Sequence, residues 1–163
     1  MTPERRPPVL PQPDPRPESC CTCLAVRQAA RHVTQYYDQF LAPSGLRTTQ
    51  FSILAKLKWL GPITINALAA DLVMDRTTLG RNILPLEREG LIVIVPSSSD
   101  RRSKELRLTD TGAARLRTAV KGWARAQKSF DVAFGAKRSA DLRALLRAVS
   151  ASELGGAPTN HAS

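Results

Sequence analysis

Only two residues, Val73 and Met74, separate two short segments that both read as amphipathic helices, and so tight a junction constrains this chain more than any other feature. Thr64 is a good N-cap, and the residues after it place Ile65, Leu68, Ala69 and Leu72 on a single helical face. Asp75 is a second N-cap. It opens a segment that turns Leu79, Ile83 and Leu86 inward, and Gly90 supplies a left-handed exit. Ala69 is small enough for the two helices to cross closely, so the pair is predicted to form a helix-turn-helix.

The flanking pattern extends this unit. LIVIV, from Leu91 to Val95, is short and β-branched, and Glu105 to Leu108 can pair with it. The intervening PSSSDRRSK reads as a hairpin tip too polar to bury. Upstream, helical periodicity runs from about Cys20 to Leu41 and stops at Pro43, Ser44 and Gly45. A second helix, about Thr49 to Leu60, is expected to turn Phe51, Ile53, Leu54, Leu57 and Leu60 inward before Gly61 and Pro62. Downstream, a long helix after Thr109 carries Leu116, Val120, Trp123, Gln127, Phe130 and Phe134 at alternating steps of four and three, a heptad-like seam. A last short helix, about Ser139 to Ser150, offers Leu142, Leu145, Leu146 and Val149.

The expected fold class is therefore mainly α with a small β-hairpin wing: a winged helix-turn-helix lobe plus a helical dimerisation region. The expected boundaries are an arm over 1–19, helical dimerisation segments over 20–48 and 109–151, the lobe over 49–108, and a flexible tail over 152–163. The arm holds seven prolines and reads as disordered or polyproline-like. A chain of 163 residues fits one folded domain more readily than two.

The formal charge is +10, and its location matters. Arg5, Arg6 and Arg16 cancel against Glu4, Asp14 and Glu18, so the excess lies in the body of the chain. A basic folded body attracts polyanions, above all the phosphate backbone of nucleic acid. Anionic membrane is the rival partner, but its usual reader is a Lys-rich amphipathic helix with bulky anchors, whereas Arg here is spread over several elements. No apolar run approaches the roughly 18 residues of a membrane span, and the N-terminus has no secretory pattern, so a cytoplasmic protein is expected.

The chemistry concentrates on two segments. The helix after Asp75 begins RTTLGRN, which sets Arg76, Thr77, Thr78, Arg81 and Asn82 off its apolar face. Arg suits guanine or phosphate, Asn suits adenine, and Thr suits phosphate or a thymine methyl; the same pattern also fits an ordinary solvated helix face. In the hairpin tip, Ser97, Ser98 and Ser99 can donate to phosphates, while Arg101, Arg102 and Lys104 put positive charge on a projecting loop. An Arg there fits a narrow minor groove, with Asp100 orienting a neighbouring Arg; a basic loop with no partner is the alternative. Thr64 completes the candidate contacts.

The run from Ile63 to Gly112 resembles the DNA-binding lobe of the MarR family of regulators. Asp100, Arg102, Leu108, Thr109 and Gly112 match the family pattern around the wing, and LEREGL, Leu86 to Leu91, matches its helix exit. The likeness extends more loosely from about Cys23 to Leu146. It implies a homodimer whose first and last two helices interlock, carrying two lobes to a pseudo-palindromic site on double-stranded DNA. It also implies that Arg102 is the minor-groove arginine and that Arg76 to Asn82 is the recognition surface. The turn Val73-Met74 lacks the Lys or Arg that would add charge there.

Proteins of this kind hold a small-molecule pocket between the dimer helices and the lobe, and His32, Tyr36, Tyr37, Phe51 and Trp59 are the candidate lining for an aromatic effector. Core packing is the plainer reading, most of all for Phe51. CCTC places Cys20, Cys21 and Cys23 at the start of the first helix, where thiols react more readily, so oxidant sensing stands beside simple packing. A metal site is not expected: there are two His, one of them His161 in the tail, and no second Cys pair. No cofactor is expected either, and no catalytic set or Gly-rich phosphate loop argues for an enzyme. The expected function is a sequence-specific, effector-responsive repressor; the alternative is a winged-helix architectural or adaptor protein with no effector.

Overall fold

The computed structural model describes residues 20–97 and 103–153. Along these residues the chain forms α1 (Thr22–Leu41), a 3-10 turn (Ala42–Ser44), α2 (Thr48–Leu60), β1 (Ile63–Thr64), α3 (Ile65–Asp71), α4 (Arg76–Arg88), β2 (Ile92–Pro96), β3 (Lys104–Leu108), α5 (Asp110–Phe134) and α6 (Ala136–Ala151). The fold is mainly helical with one small antiparallel sheet. None of these helices is long and apolar enough to cross a membrane.

The chain divides into two compact units between Gln35 and Tyr36, inside α1. In the first unit α1 opens at Cys21, whose Sγ accepts a hydrogen bond from the Leu24 amide at 3.4 Å. In the second, the end of α1 is tied to α2 by one carboxylate: Asp38 Oδ1 accepts from both the amide and the hydroxyl of Thr48, each at 2.7 Å.

The core of the second unit is assembled from every element between α2 and α5. Ile53, Leu54 and Leu57 of α2, Leu68 of α3, and Leu79 and Leu86 of α4 are buried with Leu91, Ile92 and Leu106. Each such side chain stabilises the fold by about 1.5–3 kcal/mol relative to exposure. Leu60 departs from expectation. The last turn of α2, Lys58 to Leu60, is exposed because it lines an open cleft instead of entering the core.

The sheet has three strands in the order β1-β3-β2, one more than expected. Ile63 pairs with Leu106 and Thr64 with Glu105, so β1 extends the wing hairpin toward the start of α3. Pairing of Ile92 with Leu108 and Pro96 with Lys104 sets the register of the hairpin itself. Ser97, expected in a solvated tip, is buried: its hydroxyl donates to Glu105 Oε1, and its amide donates to the Ser103 carbonyl at 2.9 Å.

Thr109 joins the wing to the long helix. Its hydroxyl accepts from the Gly112 amide at 3.0 Å and donates to the Gly90 carbonyl at 2.6 Å, which caps α5 and ties it to the exit of α4. From there α5 turns a face of small residues inward, with Gly112, Leu116, Ala119, Gly122 and Ala126 all buried. Gly135, at φ 97°, separates α5 from α6, so α6 starts at Ala136, three residues earlier than expected. Two members of the expected seam, Val120 and Trp123, are exposed, as are Val132 on α5 and Leu145, Leu146 and Val149 on α6.

Candidate nucleic-acid interface

Two capped helices meet at a turn that contains no glycine. Thr64 Oγ1 accepts from the Ala67 amide at 3.2 Å and starts α3; Asp75 Oδ1 accepts from the Thr78 amide at 2.8 Å and starts α4. Between them Val73 adopts φ 49°, a left-handed conformation that a β-branched residue rarely takes. The Met74 amide closes the turn on the Ala69 carbonyl at 2.8 Å. The exposed Asp75 carboxyl is held below its ordinary value by the hydrogen bonds it accepts from Thr78.

With Leu79, Ile83 and Leu86 inward, α4 presents Arg76, Thr77, Thr78 and Arg81 to solvent. Asn82 is turned back on its own helix: its Nδ2 donates to the Thr78 carbonyl at 2.8 Å. Pro85 sits inside α4 without ending it, and the helix runs on to Arg88.

Three of the residues singled out from sequence converge on one notch. Thr64 from β1, Arg76 from the first turn of α4 and Lys104 from the base of the wing line a cavity of about 220 Å³, together with Ile65, Asn66 and Ser103. Among the described residues its charged lining is two cations and no carboxylate, so it is chemically suited to a phosphate group. Asn66 and Ser103 were not anticipated. Asn66 enters through the short strand β1, whose pairing brings the start of α3 beside β3. Ser98, Asp100, Arg101 and Arg102 lie outside the described residues.

Two of the residues expected to line an effector pocket share a cleft. Phe51 and Trp59 line a cleft of about 650 Å³ between α2 and α5, with Ala55, Leu116, Val120 and Trp123 on its apolar side. Phe51 also belongs to the core and stacks on Trp123, ring centroids 6.2 Å apart. Tyr36 and Tyr37 belong instead to an aromatic cluster with Phe40 and Phe130. There the Tyr37 hydroxyl donates to Gln127 Oε1 at 2.9 Å, and Gln127 Nε2 donates to Asp131 at 3.1 Å. Burial, reinforced by the Asp131 charge, pushes the Tyr37 phenol up, while the Gln127 amide and Arg143 hold Asp131 down. His32 is exposed in the first unit, as are Cys20, Cys21 and Cys23.

A helix-turn-helix backed by a three-stranded wing, with a cationic notch where the two helix starts meet the wing, defines a winged-helix protein. The chain belongs to the MarR family of DNA-binding transcription regulators. The MarR family model matches residues 46–104. The Mycobacterium tuberculosis transcriptional regulator MosR, solved in complex with DNA, is 38% identical, with 80% of this chain and 97% of that one covered at a TM-score of 0.69. The transcriptional repressor CouR, solved bound to a 23-mer DNA duplex, is 30% identical, with 82% and 96% covered at a TM-score of 0.74. An HTH-type transcriptional regulator of Bacillus cereus is 31% identical over 96 residues, which are 59% of this chain and 63% of that relative. The aligned stretch thus falls just short of two thirds of the curated relative's length.

Proposed function

We propose that this protein is a sequence-specific, double-stranded DNA-binding transcription repressor that acts in the cytoplasm as a homodimer and is released by a small aromatic or thiol-reactive effector. The notch shared by Thr64, Arg76 and Lys104 carries the DNA-binding part of this reading. It sits where a phosphate would meet the amino end of the helix presenting Arg76, Thr77, Thr78 and Arg81, the end that enters a major groove. In this reading Arg102 supplies the minor-groove contact, and Ser98, Asp100 and Arg101 belong to the same candidate set.

The test is binding of the DNA immediately upstream of the protein's own coding region, measured by fluorescence anisotropy against a scrambled duplex. Preferential binding whose affinity falls steeply with salt supports the reading. Equal binding of both duplexes removes the sequence-specific part, and no binding at low salt removes the whole of it.

The homodimer is supported by the apolar side chains that α5 and α6 leave uncovered, Val132 and Leu145 foremost at 78% and 66% exposure. In this reading, 20–48 and 109–151 form the dimer frame and 49–108 the DNA-binding lobe. The cleft between α2 and α5 supports an aromatic effector, and the exposed CCTC segment supports a thiol-reactive one. A thermal-shift panel of aromatic acids, phenols and oxidants separates these, because a ligand of the folded state raises Tm by mass action. Silence across the panel would favour the effector-independent adaptor.

A further inference from the structure

One residue of α2 links the cleft to the helix-turn-helix. Lys56 lines the α2/α5 cleft, and its Nζ lies 2.8 Å from Asp71 Oδ2. Asp71 is the last residue of α3, directly before the turn that leads to α4. A carboxylate there faces the negative end of the helix dipole, so it is unfavourable unless a cation neutralises it. Lys56 is that cation. Among the described residues, the cleft's charged lining is three cations, Lys56, Lys58 and Arg117, and no carboxylate. With Phe51, Trp59 and Trp123 around them, these groups fit an aromatic ring bearing a negative charge.

We infer that Lys56 is the relay between cleft and DNA-reading helix: an aromatic anion bound in the cleft draws the Lys56 ammonium from Asp71 and loosens the α3/α4 turn. The relay rests on the cleft being an effector site, as proposed above. Lys56 carries a single positive charge on a flexible stem, so a second carboxylate beside it lowers the compensation left at Asp71. Val73, left-handed at φ 49°, already holds this turn in a strained conformation. Three backbone hydrogen bonds report its state: Leu72 to Leu68, Val73 to Ala70 and Met74 to Ala69.

The experiment combines calorimetry with hydrogen exchange at the Leu72, Val73 and Met74 amides in the full chain. The probes are 1-naphthoate and its uncharged counterpart 1-naphthamide. Saturating 1-naphthoate is expected to lower protection of these amides by at least about fivefold, the low end of ordinary coupling between sites. Naphthamide is expected to leave them unchanged. In Lys56→Gln protection is low without ligand, and bound naphthoate adds nothing; in Asp71→Asn it is insensitive to naphthoate. Both substituted side chains are part-exposed, so the core that folds the chain is untouched. The relay is overturned if naphthoate binds and protection in the unsubstituted protein stays unchanged, or if Lys56→Gln responds as fully as the parent. If calorimetry detects no naphthoate binding, the cleft fails as an effector site and the relay falls with it.

Discussion

The carbonyl oxygen of Leu91 occupies the space beside Gly112 so closely that a Cβ on Gly112 would collide with it. This contact seats the first turn of α5 on the chain that leaves α4, where Thr109 also bonds Gly90 and Leu91. Replacing a helical glycine by alanine ordinarily stabilises by roughly 0.5–1 kcal/mol. Gly112→Ala is expected to do the reverse and cost about 1–3 kcal/mol, because backbone must shift to admit the methyl. Urea denaturation reads the sign directly, and a stabilised variant would refute the contact.

Gly80 is the opposite case. It lies inside α4, and nothing stands within 4 Å of where its Cβ would go. Gly80→Ala should therefore stabilise the protein by roughly 0.5–1 kcal/mol. Measuring DNA affinity of the same variant tests how closely the helix backbone approaches the duplex: a stabler protein that binds DNA more weakly means the added methyl meets the nucleic acid.

Val73 stores strain in the turn. It is 76% exposed, so it contributes little packing, and at φ 49° its branched side chain crowds the following carbonyl. Val73→Gly removes a cost of about 1–2 kcal/mol and introduces an unfolded-state entropy cost of about half that. The expected result is a small net gain in the urea midpoint with an unchanged slope. A clear loss would mean that the valine is held by contacts its exposure does not suggest.

These positions show where the sequence was legible and where it was not. The caps Thr64 and Asp75 were readable because a short polar side chain before an apolar-periodic run has few other uses. The helix-turn-helix followed from them, and the hairpin from the β-branched run Leu91 to Val95. Strand β1 was not readable, because two residues carry no period; it exists only through pairing with Leu106 and Glu105. Leu60 has the spacing of a core residue, yet it lines the open cleft with Lys58 and Trp59. The inward face of α5 was obscured by its composition: Gly112, Ala119, Gly122 and Ala126 pack by being small, while the larger Val120 and Trp123 drew attention to the uncovered side. For the site, charge and capping located Arg76 and Lys104, but only the three-dimensional pairing placed Asn66 and Ser103 beside them.

The cap on α4 should be visible in the acid response. Asp75 is held below its ordinary value of 3.8 by hydrogen bonds from Thr78. A carboxylate whose value is depressed on folding contributes stability that is present above the unfolded value and lost as pH falls through the folded one. Asp75→Ala should lower Tm at neutral pH, and the gap to the parent protein should close as pH falls below about 4. Thermal melts at pH 7, 5 and 3 check this. A gap that persists undiminished at the acid end would show that the side chain acts through something other than its charge.

The exposed face of α4 and the notch at its start form the proposed DNA-binding surface. The most direct measurement is fluorescence anisotropy with the upstream duplex at fixed low salt, comparing the parent protein with Arg76→Ala and Arg81→Ala, with thermal melts of each. Both arginines are exposed, so the variants should melt like the parent. Each is expected to lose about 1–3 kcal/mol of binding, and loss of a phosphate contact by Arg76 should also lower the salt slope by about one. Two variants that melt normally and bind the duplex with unchanged Kd would contradict the assignment of this surface.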